Sequence, residues 1–484
     1  MLTIQQRLTK SFFALLSLPA TAMGFALSVQ ISALSWILTT KFGLDIHDVG
    51  LVWAAGPIAG ILGQVVIGVV SDNVWFWNGR RRPFILIGGV LAALMLLALP
   101  SIDVISASMG AEGILGVAIA VALTLDLAIN VSFNPTRSII ADVTPEGVNR
   151  TKGYTWMQTI SGTFGVLAYA IGAIWGNITL IYLGAGLVLV FSLIPPFFIE
   201  EPRQLAGSDR PGAERKASAG EMLQAIRPLW GFLAYAVYGM TARLAGWQPG
   251  SYWVEILCLL ATVALMAEAL MKSEQGLSKE AAGALGFRKV LAAHSFTWVG
   301  VQTMFIYMFA YVQQRVPGLS DDQMGQVVSI SFLVLNAVGA LVPVLLLEPI
   351  TERFGRVKTH WASLALMAVA YVGVLLVGST PYVIYACMAV AGIGWGAIVS
   401  LPFAIMSQKI DQGRMGMYMG LFNLSVVLPQ LVASLGVGQA VSETADKGLI
   451  FIICAATLAI SAFAWTFVKD DAGAGSNETP AASH

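Results

Sequence analysis

The sequence is poor in charge. Only 11% of its 484 residues are Asp, Glu, Lys or Arg, where a soluble domain carries ~25%. The 27 basic and 27 acidic side chains cancel to a net charge of +0. That leaves no cationic surplus to neutralise phosphates and excludes nucleic acid as a partner. Histidine is scarce at four and cysteine at three. Cys258, Cys387 and Cys454 stand in apolar stretches and read as buried thiols, not as a disulfide framework. No CxxC, HExxH, P-loop or GxSxG pattern occurs, so the chain is not expected to be an enzyme or to need a metal or cofactor.

What fills the sequence is apolar: 57% hydrophobic residues and a mean hydropathy of +0.76. A spanning helix needs ~20 such residues. Apolar segments run near 11–40, 47–71, 83–101, 112–141, 153–176, 178–199, 228–246, 251–271, 289–314, 323–347, 358–378, 381–406, 414–438 and 448–468. They are too long for strands and lack barrel alternation, so the fold class is an all-α polytopic membrane protein. The first segment is long and no small-residue cleavage site follows it, so it reads as a span and not a removed leader. The weakest two are 228–246, broken by Arg243, and 251–271, which carries Glu255 and Glu268; Pro249 separates them. They read as spans, with an interfacial hairpin as the alternative.

Lys and Arg crowd one set of loops, including Arg80, Arg81, Arg82, Arg150, Arg203, Arg353, Arg356 and Lys469. The other set holds Lys41, Arg243, Arg315 and Lys447. By the positive-inside rule both termini lie in the cytoplasm. Short loops and termini suggest a bacterial inner membrane, and a monomer is expected.

The segments divide six, two, six. The expected units are 1–199, a linker with two extra helices at 200–287, 288–469, and a small polar tail at 470–484 that reads as disordered. After the second helix of the first unit stand Asp72 and then Gly79-Arg80-Arg81-Arg82. After the second helix of the second stand Glu352-Arg353, Gly355-Arg356 and Lys358. An acid followed by Gly-Arg at the same place in both units is a repeat, and parallel six-helix repeats suit a rocking transporter with its site between them. Asp72, Arg80, Arg81, Arg82, Glu352, Arg353 and Arg356 are therefore assigned to gating, an acid pairing with cations to hold one state closed. Simple positive-inside anchoring is the alternative.

The loop Asp72…Gly79-Arg80-Arg81-Arg82-Pro83-Phe84 resembles that between helices two and three of the major facilitator superfamily. Further motifs narrow the likeness. Gly56-Pro57-Ile58 with Gly60 and Gln64, Thr124-Leu125-Asp126-Leu127-Ala128-Ile129-Asn130, Pro135-Thr136-Arg137, Ala141-Asp142 and Gly420-Leu421-Phe422-Asn423-Leu424 with Pro429 and Gln430 resemble, in family order, the glycoside–pentoside–hexuronide:cation symporters. The sucrose–proton transporters of plants and their bacterial relatives belong to that group. The resemblance implies a major facilitator fold with twelve core helices plus two inserted ones. It also implies inward symport of a di- or oligosaccharide with a proton, taking sugar, proton and lipid bilayer as the partners. An efflux carrier, or a symporter of another polar metabolite on the same fold, is the alternative.

Asp126 stands ~21 Å into a helix begun near Glu112, close to the midplane, where a charge costs ~2.5–3.5 kcal/mol on insertion scales. Asn130 and Arg137 share its face at ~100° per residue. Asp126 and Arg137 are assigned to proton coupling, as the resemblance implies, although ~16 Å of helix separates them; a snorkelling cytoplasmic-end arginine is the alternative for Arg137. The plant pattern of acids at the end of the seventh helix is missing; Tyr307, Phe309 and Tyr311 stand there, which leaves Asp126 as the main coupling candidate. Sugar needs amides for its hydroxyls and aromatic faces for its C–H surface. Mid-span candidates are Gln30, Trp53, Gln64, Asn130, Gln158, Gln302, Asn336, Trp395, Asn423 and Gln430, with interhelical packing the alternative for each singly. Trp36 and Trp465 near span ends are expected in the interfacial belt. His294 and His360 are expected to be solvated or interfacial at cytoplasmic span ends.

Overall fold

A computed structural model of the protein describes residues 3–60, 74–110, 113–145, 148–202, 219–245, 247, 251–342, 347–410 and 415–470. Fourteen principal helices run through them. In the first half these are α1 (Lys10–Thr40), α2 (Ile46–Trp53, with helical backbone resuming to residue 60), α3 (Arg82–Ala98), α4 (Leu115–Val143), α5 (Val148–Trp175) and α6 (Asn177–Phe198). Two follow as an insert, α7 (Trp230–Leu244) and α8 (Trp253–Met271). The second half has α9 (Lys279–Arg315), α10 (Asp321–Val342), α11 (Arg356–Val377), α12 (Pro381–Ser407), α13 (Met415–Val432) and α14 (Leu449–Trp465). Each apolar run closes its backbone hydrogen bonds within itself, the condition for crossing hydrocarbon.

Ten of the described helical stretches are long and apolar enough to span, α8 among them; α7, at 15 residues, is not. The helix starts are built locally. Thr9 accepts the N–H of Phe12 ahead of α1, Ser278 accepts that of Ala281 ahead of α9, and Pro83 occupies the first turn of α3, where its missing N–H costs nothing.

The same pairings recur in both halves. α1 packs on α6 as α9 packs on α14; α3 packs on α6 as α11 packs on α14; α3 meets α4 as α11 meets α12. This repeated packing places the starts of α3 and α11 on one face of the bundle, beside the ends of α6 and α14. We call that the terminal face and the other the opposite face. Toward the opposite face the halves are bonded together. The hydroxyls of Ser32 (α1) and Ser329 (α10) lie 2.8 Å apart, and Ser329 donates to Asn177 Oδ1 at 3.0 Å. Ser35 donates to the Ile306 carbonyl at 2.8 Å and Trp36 Nε1 to that of Asp321 at 2.9 Å. α13 continues through a π-helical turn, Ala433–Val437, into a short helix, Gly438–Glu443. The Tyr307 hydroxyl is 3.2 Å from the carbonyl oxygens of both Ala433 and Ser434, and donates into that widened turn. The insert is a hairpin tied at the terminal face, where Glu268 accepts from Arg227 at 2.8 Å and from Lys272 at 2.6 Å.

The buried aromatics correct two expectations. Trp36 and Trp465 are core residues, 6% and 0% exposed, and not belt residues. His294 and His360 are buried too, at 2% and 0%. His294 stacks on Phe422 and accepts from Trp298 Nε1 at 2.9 Å, while His360 lies edge-on to Trp465. Their helices turn these rings toward α13 and α14, a choice of face that hydropathy along the chain does not record.

Candidate functional site

Asp126 lies eleven residues into α4, ~17 Å from its start at Leu115. It is 4% exposed, and Gln30 of α1, 3% exposed, donates Nε2 to its Oδ2 at 3.0 Å. Helix α2 comes close because position 56 is glycine; a Cβ there would stand 3.4 Å from the same carboxylate oxygen. One turn on, a Cβ at Gly60 would stand 3.6 Å from Val427 Cγ1 of α13. The carboxyl is thus occluded among three helices of the first half, a turn away from the seam with the second. Its side-chain partner is a neutral amide.

The other sequence candidates fall into place around this centre unevenly. Asn130 turns its Nδ2 back to the Asp126 carbonyl at 2.8 Å. Arg137 is not brought to Asp126: its side chain is exposed, its guanidinium sits 4.1 Å from the Phe133 ring centroid, and its carbonyl accepts from Tyr154 at 3.2 Å. Trp53 Nε1 donates to Ser35 Oγ at 2.8 Å. In the second half the amides pair with one another or with indole. Gln430 donates to Gln302 Oε1 at 3.1 Å, and Asn336 Oδ1 accepts Trp395 Nε1 at 3.1 Å. Trp395 is held edge-to-face by Phe305 and Trp298. Asn423 is half-buried on α13 and Gln158 exposed on α5. Gln64 lies outside the described residues. The candidates form three polar nodes, Gln30–Asp126, Gln302–Gln430 and Asn336–Trp395, and not a single ring.

At the terminal face the basic loop has an acidic partner that sequence reasoning missed. Glu201, just past α6, accepts the backbone N–H groups of Arg80 (2.9 Å), Arg81 (2.9 Å) and Arg82 (2.7 Å) with its two carboxylate oxygens. Arg81 Nε donates in turn to Asp142 at the end of α4, at 3.1 Å, with both side chains nearly buried; Arg80 Nη2 is 4.0 Å from the same oxygen. An acid at a helix start meets both the unsatisfied N–H groups and the positive end of the dipole. The second half repeats the device: Asp470, just past α14, accepts the Val357 N–H at 3.0 Å. The glycines of the repeat make room for these acids. A Cβ at Gly79 would stand 2.7 Å from Glu201 Oε1, and one at Gly355, whose φ is +87°, would collide with Asp470. Glu352 and Arg353 are exposed, Arg353 lying over Phe354, and Arg356 is half-buried. Asp72 lies outside the described residues. The signal that could have found Glu201 and Asp470 was there: an acid directly after the last span of each half.

Two repeated six-helix halves, bonded at one face and clamped loop by loop at the other, define a polytopic transporter. The chain belongs to the Major Facilitator Superfamily, whose family model matches residues 16–434. Over 472 residues it is 21% identical to the sucrose transport protein SUC4 of Arabidopsis thaliana, spanning 87% of this chain and 82% of that one. Over 138 residues it is 30% identical to the general alpha-glucoside permease of Schizosaccharomyces pombe, covering 27% of this chain and 25% of that protein. Among solved structures, the xylose transporter XylE from E. coli, in its inward open conformation, shares the fold with a TM-score of 0.59 at 15% identity, over 96% of this chain and 97% of that one.

Proposed function

We propose that the protein carries a di- or oligosaccharide of the sucrose or maltose kind inward across a cell membrane together with a proton, by alternating access, with the terminal face in the cytoplasm. The observation that carries this reading is Asp126: a carboxyl at membrane depth whose partner is the neutral Gln30, one turn from the seam along which the halves must part. A charge so placed is costly, and binding a proton removes it. Relatives that resemble the chain over most of its length are sucrose transport proteins by name, which supports the sugar. The amide and indole nodes of the second half supply the donors, acceptors and flat apolar faces that a saccharide needs. The bonds joining the halves near Ser32, Ser35 and Trp36 are those that opening to the outside must break.

The test is uptake in proteoliposomes under an imposed proton gradient, with labelled sucrose, maltose and glucose compared by counterflow. Asp126→Asn is expected to lower uphill accumulation at least tenfold while counterflow persists. Uphill accumulation at the unsubstituted rate overturns the proton assignment, and equal indifference to all three sugars overturns the cargo.

A further inference from the structure

One cavity among the described residues lies away from Asp126. It is a groove of about 1260 Å³ between the inserted hairpin, the start of α2 and the π-turn region after α13. Tied at the terminal face, α7 and α8 together form one wall of this space. Along α7 the groove runs from Gly231 to Ala242, ~17 Å at 1.5 Å per residue, close to the ~15 Å hydrocarbon depth of one leaflet. Its floor is apolar, with Phe232, Val432 and Leu435. Its mouth, at the opposite-face ends of these helices, is aromatic and acidic. Tyr252 donates to Glu443 at 2.6 Å, Trp247 stands beside Tyr238, and Asp45 and Glu255 complete the rim. No Lys or Arg is among the lining residues. Glu255 Oε2 is itself buried, with the Tyr238 hydroxyl beside it.

We infer that this groove holds one phospholipid of the opposite-face leaflet whose headgroup bears a primary ammonium, as ethanolamine does. The depth fits an acyl chain lying against α7, and the aromatic rim sits where interfacial rings meet headgroups. Three carboxylates without a Lys or Arg among them select a cationic head. The Glu255 carboxylate selects among cationic heads, because an ammonium donates N–H groups and a trimethylated choline has none. The lipid lies against α2 and the turn after α13, beside the seam between the halves. The inserted hairpin then serves to wall a lipid onto that seam.

The test is native mass spectrometry of the full chain released from detergent after exchange with synthetic phosphatidylethanolamine, phosphatidylcholine and phosphatidylglycerol of matched chains. The unsubstituted protein is expected to retain one phosphatidylethanolamine at least tenfold over the other two. Glu255→Gln is expected to abolish that preference without changing the elution of the monodisperse protein. Gly239→Leu offers a steric counterpart. A Cβ there meets Leu435 at an ordinary 3.5 Å, so the larger side chain grows into the groove, and it is expected to lower retention of all lipids. Equal retention of the three lipids by the unsubstituted protein overturns the proposal, even if both variants fail to fold. A preference that survives Glu255→Gln overturns the headgroup assignment, and lipid retention undiminished by Gly239→Leu overturns the location.

Discussion

In the first half, Glu201 accepts from three successive backbone N–H groups, and a nearly buried Arg81–Asp142 pair stands beside it; in the second, Asp470 accepts from Val357 across Gly355, among exposed Glu352 and Arg353. The repeat has kept the position of the acid and the glycine that admits it, but loaded one copy far more heavily. A clamp made of charge-assisted hydrogen bonds to a helix start, backed by an ion pair shielded from water, holds harder than an acid beside an exposed loop.

That contrast is open to breakage by substitution, read as thermal unfolding of the purified protein. Arg81→Ala leaves Asp142 nearly buried and, among the described residues, paired with only the more distant Arg80, and is expected to be the most damaging at about 3 kcal/mol. Glu201→Ala strips the acceptor from three N–H groups leading into α3 and should cost ~2 kcal/mol. Asp470→Ala removes the weaker clamp, with an expected loss of ~1 kcal/mol, the usual worth of a helix cap. If Asp470→Ala melts at or below Glu201→Ala, the asymmetry is not real. The smallest effect belongs to the opposite face. Arg315 reaches Asp446 at 2.6 Å in the open, and Arg315→Ala is expected to leave unfolding unchanged, as exposed pairs do. The Gly448 backbone N–H, and then Arg315, hold the Asp446 carboxyl below its ordinary range. A depressed acid stabilises above its unfolded value and loses that contribution as pH falls through the lowered one. The gap between the Arg315→Ala and unsubstituted proteins, small for an exposed pair, should therefore stay constant across neutral pH and close as pH falls through the lowered value.

Much of this was legible in the sequence. Apolar runs of spanning length marked the helices, and Gly79-Arg80 against Gly355-Arg356 marked the repeat. Glu201 escaped notice because it stands some 120 residues from the loop it holds, and hydropathy carries no pairing information across such a gap. Trp465 and His360 escaped because both lie near span ends, where an aromatic is equally suited to headgroups or to a neighbouring helix. Asp126 was visible as a lone acid in an apolar run. Its bond to Gln30 was not, since the rotation of α1 against α4 is set by packing. Arg137 shares a face with Asp126 on paper and still stays apart, because three turns of helix are longer than a guanidinium can reach.

The widened turn at Ala433–Val437 sets the phase of everything that follows it. It holds one residue more than an α-helical turn would, and Tyr307 occupies the carbonyls this exposes. Winding the same residues as an ordinary α-helix would swing 438–443 by ~100° about the helix axis. Gln439 and Glu443 would then face away from Tyr252, and the hairpin would lose its outer fastening without any change to its own sequence.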